Sequence, residues 1–121
     1  MKLTLIRGLP GSGKSTIAKA LGCLHVEADM HRIRDGKYQF DPAALGAAHA
    51  WCQSMVDQAL DAGMDVVVSN TFIKRWEMEK YEELARVYHA TLVVCVATGN
   101  YKDVHGVPPA VIERMRESWE A

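Results

Sequence analysis

Gly8-Leu9-Pro10-Gly11-Ser12-Gly13-Lys14-Ser15-Thr16 is the stretch that decides the fold. Two glycines flank four residues and are followed at once by Lys and Ser, the spacing of a loop that cradles phosphates. Upstream, Leu3-Thr4-Leu5-Ile6 is a short apolar run of strand type; downstream, Ile17, Ala20 and Leu21 recur at helical spacing. A strand therefore runs into a glycine loop that opens a helix. Gly8, Gly11 and Gly13 are expected to adopt backbone angles closed to other residues and to let main-chain N–H groups approach an anion. The helix start near Lys14 adds N–H groups and positive dipole charge. Lys14 is placed to reach the β- and γ-phosphates, Ser15 to offer its hydroxyl to Mg²⁺, and Thr16 to hold the α-phosphate side. Gly8, Pro10, Gly11, Ser12, Gly13, Lys14, Ser15 and Thr16 are thus the candidate nucleotide-binding residues, with Ser15 the candidate metal ligand.

Length and composition bound the rest. The 121 residues are read as a single domain, 1–121, with 49% hydrophobic and 24% charged residues, ordinary for a globular protein and unlike a disordered chain. A net charge of −1 gives no electrostatic case for a large nucleic-acid surface. Cys23, Cys52 and Cys95 are widely separated and odd in number, which points to buried, reduced thiols rather than a disulfide framework or zinc site. No apolar run approaches the length of a membrane span and no signal-peptide pattern opens the sequence, so a cytoplasmic location is expected.

Along the chain, the first helix runs from Lys14 to Leu21, with Gly22 as its cap. Cys23 to Glu27 reads as a second strand that delivers Ala28-Asp29-Met30-His31-Arg32 to the sheet edge where ligands bind. Arg34 to Phe40 reads as a loop. Asp41-Pro42 starts a helix carried to Ala62 by an apolar face from Leu45 to Leu60. Val66-Val67-Val68 is a strand covered on both faces, ending at Ser69-Asn70-Thr71. A charged helix follows from Lys74 to Tyr88, then a strand from Thr91 to Ala97, a glycine-containing connection, and a last helix from Pro108-Pro109. This alternation is α/β: a three-layer P-loop fold, a parallel sheet of about four strands with helices on both faces, the strand ending at Asn70 beside the phosphate-loop strand. Trp51 and Trp76 are expected to pack against helices in preference to stacking on a base or sugar.

With Gly8 to Thr16, Asp29 to Arg32, Asn70-Thr71 and His105-Gly106-Val107-Pro108 identified, the chain resembles the small P-loop kinases related to phage-type polynucleotide 5′-hydroxyl kinase. AAA-type ATP-binding proteins and zeta-toxin-like kinases share that resemblance. Ala48-His49-Ala50-Trp51 and Arg75-Trp76-Glu77-Met78 extend it along nearly the whole chain. The resemblance implies a kinase that binds ATP and Mg²⁺ and moves the γ-phosphoryl group to a hydroxyl of a polynucleotide 5′ end, a nucleoside or another small alcohol. It implies that Asp29 is the general base on the acceptor and Arg32 a phosphate contact, with Lys14 completing the catalytic set. The chemistry agrees, since an acceptor alcohol needs a carboxylate to orient it and take its proton. Asp29 also suits a helix N-cap, and the two roles are compatible. Two departures from the family pattern stand out: Asn70 where the related kinases carry an acid, and no arginine between Tyr88 and Glu113. They leave a nucleotide-binding module or weak ATPase as the rival reading.

Overall fold

The computed structural model describes residues 1–28, 33–34, 37–38, 45–101 and 106–121. Its elements are β1 (Lys2–Arg7), α1 (Lys14–Ala20), β2 (Leu24–Val26), β3 (Ile33–Arg34), β4 (Lys37–Tyr38), α2 (Leu45–Asp61), β5 (Val66–Asn70), a 3-10 turn (Arg75–Met78), α3 (Glu79–Tyr88), β6 (Thr91–Val96) and α4 (Pro109–Ser118). Four strands form one parallel sheet in the order β2-β5-β1-β6. β1 and β5 take the two central places, where their apolar residues are covered on both faces. Leu3, Leu5, Ile6, Val66, Val67 and Val68 are all fully buried.

Strand alternation divides the core. Leu3, Leu5, Val66 and Val68 face Cys52, Val56 and Leu60 of α2 and Tyr81 and Leu84 of α3. Ile6 and Val67 face the other way, against Ala18 of α1. Helices therefore lie on both faces, as the alternating pattern requires. In β1–β5 the register pairs Leu5 with Val68 and Arg7 with Asn70, so the loop after β1 and the end of β5 emerge side by side.

Local differences from the sequence expectation have local causes. Residues 33–38 contain a two-strand antiparallel ladder, pairing Ile33 with Tyr38 and Arg34 with Lys37. Strands of two residues carry no legible period. The expected helix from Lys74 begins instead as the 3-10 turn, where the Lys74 N–H donates to Glu77 Oε2 at 2.7 Å and the Glu77 N–H to Lys74 O at 3.1 Å. The three-residue spacing of those bonds is that of a 3-10 turn. The start expected at Asp41-Pro42 lies outside the described residues. Of the cysteines only Cys52 is buried; Cys23 is half-buried and Cys95 exposed on the edge strand β6, and all three are free thiols. No described helix is long and apolar enough to cross a membrane.

Candidate functional site

The phosphate loop leaves β1 at the carboxyl edge of the sheet and is tied on three sides. The Gly8 N–H donates to Thr71 O at 3.2 Å, just beyond β5, and the Ser12 N–H closes a turn on Leu9 O at 3.1 Å. On the third side the segment after β6 is fastened by two bonds, from the Gly99 N–H to Ser12 O at 3.0 Å and from the Tyr101 N–H to Gly11 O at 2.6 Å. Gly11 and Gly13 have φ of +80° and +92°, angles that a side chain makes costly. Gly8 is required for a different reason from the one expected. Its φ is not positive; a Cβ there would fall 2.4 Å from Ser12 Oγ and 3.0 Å from Ala97 O.

Gly13 is the residue before α1, and no side chain caps that helix start. Lys14 arches back so that its ammonium donates to Leu9 O at 3.0 Å, which sets the charge over the loop. Pro10, Gly11, Lys14 and Ser15 are half-exposed and Thr16 is exposed, so the loop is open to a ligand; Ser12 is buried, its Oγ without a hydrogen-bond partner among the described residues.

Ser15 is not alone. Its Oγ donates to Glu27 Oε2 at 2.8 Å, and Ser69 Oγ donates to the same oxygen at 2.8 Å. His25 Nε2 stands 2.6 Å from Ser69 Oγ and 3.3 Å from Glu27 Oε2. Because the Ser69 proton goes to Glu27, Ser69 can only accept from His25, which places the ring hydrogen on Nε2. Burial alone would push the Glu27 carboxyl up, yet hydrogen bonds from His25, Ser15 and Ser69 hold it down at about 2. Glu27 is therefore an anion with its negative charge directed at the loop hydroxyl.

At the end of β5, Asn70 is buried; its Oδ1 accepts from the Ala28 N–H at 2.9 Å and its Nδ2 has no partner among the described residues. This bond ties the segment leading to Asp29 to the strand beside the loop. Asp29 and Arg32 themselves lie outside the described residues, as do His31, Lys102 and His105. Thus the site brings together the loop, Lys14, Ser15, Glu27, His25, Ser69 and Asn70.

Arg7, the last residue of β1, braces the same edge from below. Its Nε and Nη2 donate to Phe72 O at 3.1 and 2.8 Å, Nη2 also bonds Glu120 O, and the guanidinium lies 4.3 Å from the Trp119 ring centroid. Phe72 needs the brace, since it holds a φ of +46° while its ring packs edge-on against Tyr81. Burial, then the charge of Arg75, draws the Arg7 pKa below the ordinary arginine value.

Sequence reasoning missed Glu27, His25, Ser69 and Arg7. Their signal was a charged or polar residue inside a strand otherwise apolar, with His25 and Glu27 two apart and so on one face. Trp51 packs against the core as expected, whereas Trp76 is 67% exposed and does not. Among the described residues no three of His, Cys, Asp and Glu gather to hold a metal ion.

Comparison with known proteins agrees with this geometry. A family model described as an AAA domain matches residues 3–120. Human NEDD4-binding protein 2 is 31% identical over 133 aligned residues, covering 98% of this chain; the chain spans 8% of that protein's length. Among solved structures, a Pnkp1/Rnl/Hen1 complex superposes with a TM-score of 0.66 at 20% identity, over 93% of this chain and 38% of that one. A gluconokinase from Sinorhizobium meliloti 1021 gives a TM-score of 0.62 at 20% identity, over 99% of this chain and 75% of that one. With its phosphate loop, parallel sheet and near full-length match, the chain belongs to the AAA domain family and has the P-loop fold of small kinases.

Proposed function

We propose that the protein is an ATP-dependent phosphotransferase that moves the γ-phosphoryl group to a hydroxyl. The observation that carries the reading is the loop itself: Gly11 and Gly13 in left-handed conformations, an uncapped helix start, and Lys14 folded over the loop mouth. Main-chain N–H groups and one ammonium then meet a polyphosphate, and phosphoryl transfer asks for little beyond positioning and charge. The Ser15 hydroxyl oxygen, with the Glu27 carboxylate bonded to it, suits a hard cation such as Mg²⁺, which binds through few protein groups together with substrate phosphates. When bound, Mg²⁺ neutralises charge on the β- and γ-oxygens.

Within this reading Lys14 holds the transferred phosphate, Asp29 orients the acceptor hydroxyl and accepts its proton, and Arg32 balances charge on the moving group. What supports the Asp29 role is its neighbour in sequence: the Ala28 N–H is bonded to Asn70, at the end of the strand beside the loop. The acceptor class is a polynucleotide 5′-hydroxyl, a nucleoside or another small alcohol. A second reading, a nucleotide-binding module with little turnover, is favoured by the neutral pair Ser69-Asn70 that ends β5 and by the arginine-free stretch from Tyr88 to Glu113.

Incubating the protein with Mg²⁺, γ-labelled ATP and a panel of 5′-hydroxyl oligonucleotides, nucleosides and sugars separates the two. Label transferred to one acceptor class, and lost in Asp29→Asn while ATP still binds, is the expected result. ATP binding without transfer across the panel establishes the module; phosphate release indifferent to acceptor establishes an ATPase.

A further inference from the structure

We propose that Glu27, the residue after β2, supplies the metal-side carboxylate that β5 lacks. The inference rests on the nucleotide-binding reading above and assigns a residue within that site. In a site of this kind the loop hydroxyl ligates the cation through its oxygen, so its proton must go to an acceptor elsewhere. Ser15 Oγ gives that proton to Glu27 Oε2 at 2.8 Å, which leaves the Ser15 lone pairs for a cation. Glu27 is thus a positioning residue: it orients the ligating hydroxyl and adds one negative charge beside it.

Three further observations make the assignment specific. Glu27 lies one residue past the Val26↔Val68 pair, next to Ser69 on the adjacent strand, so the two side chains meet beside the loop. Ser69 is short enough for the carboxylate to reach across it to the loop, and it donates to Glu27 Oε2 as it does so, at 2.8 Å. A carboxylate at 69 would set like charges on neighbouring strands, which is unfavourable, so an acid at 27 and an acid at 69 are alternatives. His25 closes the arrangement from behind, and the Glu27 and His25 side chains are only 14% and 10% exposed, so the anion is held rather than solvated.

The test compares ATP affinity in excess Mg²⁺ with affinity in EDTA, by calorimetry, and counts bound Mn²⁺ by electron paramagnetic resonance in the presence of ADP. The variants are Glu27→Gln, Glu27→Ser and the transplant Glu27→Ser/Ser69→Asp. Glu27→Gln keeps the size and removes the charge; it is expected to bind metal-free ATP at least as well as wild type while losing about 10- to 100-fold in Mn²⁺ affinity. Glu27→Ser behaves alike, and the transplant regains Mn²⁺ binding because the acid returns on the neighbouring strand. A role confined to packing would lower stability in both single variants and leave the Mg²⁺-against-EDTA difference intact, which overturns the assignment. Failure of the transplant to regain Mn²⁺ overturns it as well, and covers the case in which Glu27→Gln does not fold. A wild-type chain that binds no ATP in either condition overturns the nucleotide-binding reading itself, a result distinct from the other two.

Discussion

Replacing Arg7 by Met keeps the apolar stem and removes the guanidinium, and its cost follows from what that group touches. Phe72 O receives two N–H donors, at 3.1 and 2.8 Å, within a side chain that is 4% exposed, so water cannot replace them. A hydrogen bond from a charged donor is worth about 1.5–3 kcal/mol, and stacking on Trp119 adds about 0.5–2 kcal/mol. Glu120 O, near the surface, recovers its partner from water and adds little. The sum is about 3 kcal/mol. With an unfolding entropy of about 2.1 cal/mol/K per residue, 121 residues give about 250 cal/mol/K, so the midpoint should fall by about 12 °C. Circular dichroism melts of wild type, Arg7→Met and Arg7→Lys measure it directly. Lys should fall between the other two, because an ammonium cannot reproduce the fork. A drop below about 4 °C for Met, or Lys equal to wild type, would show that Phe72 keeps its left-handed backbone without the brace, and the reasoning would fail.

Lys14→Ala removes the ammonium that sits over the loop; ATP affinity should fall by about 1.5–3 kcal/mol, roughly ten- to a hundredfold, by calorimetry. Gly99→Ala puts a Cβ 2.7 Å from Ser12 O and 2.4 Å from the Tyr101 ring, so the 99–101 segment must leave the loop. A loss of about 1–3 kcal/mol in denaturant unfolding, with weaker ATP binding, is expected. Tyr88 donates to Asp57, and that bond, followed by burial, raises its pKa to about 12. In ultraviolet titration one tyrosine should therefore ionise near 12 and return toward about 10 in Asp57→Asn. Since the folded value lies above the unfolded one, the bond favours the fold below about pH 10, and this is lost as the pH rises through about 12.

What the sequence made legible was whatever is written in neighbouring residues. The glycine spacing fixed the loop, and β-branched or apolar runs fixed β1 and β5; boundaries such as Lys14–Leu21 against the observed Lys14–Ala20 differ only by a cap residue. The parallel sheet, and the place of β5 beside β1, followed from alternation and handedness; the places of β2 and β6 did not. What stayed hidden depends on residues far apart in the chain: Glu27 and Ser69 are 42 positions apart, Arg7 and Glu120 are 113 apart. A lone Glu at the end of a strand and a lone Arg at the end of another look like interruptions until the register sets their partners beside them. Asn70 shows the same limit from the other direction. Read alone, it marks a missing negative charge; in the sheet it holds the Ala28 N–H, and the charge stands one strand over. A departure from a family pattern therefore has to be read across the strands adjacent to it, because the quantity a cation responds to is the charge near the loop hydroxyl and not the strand that carries it.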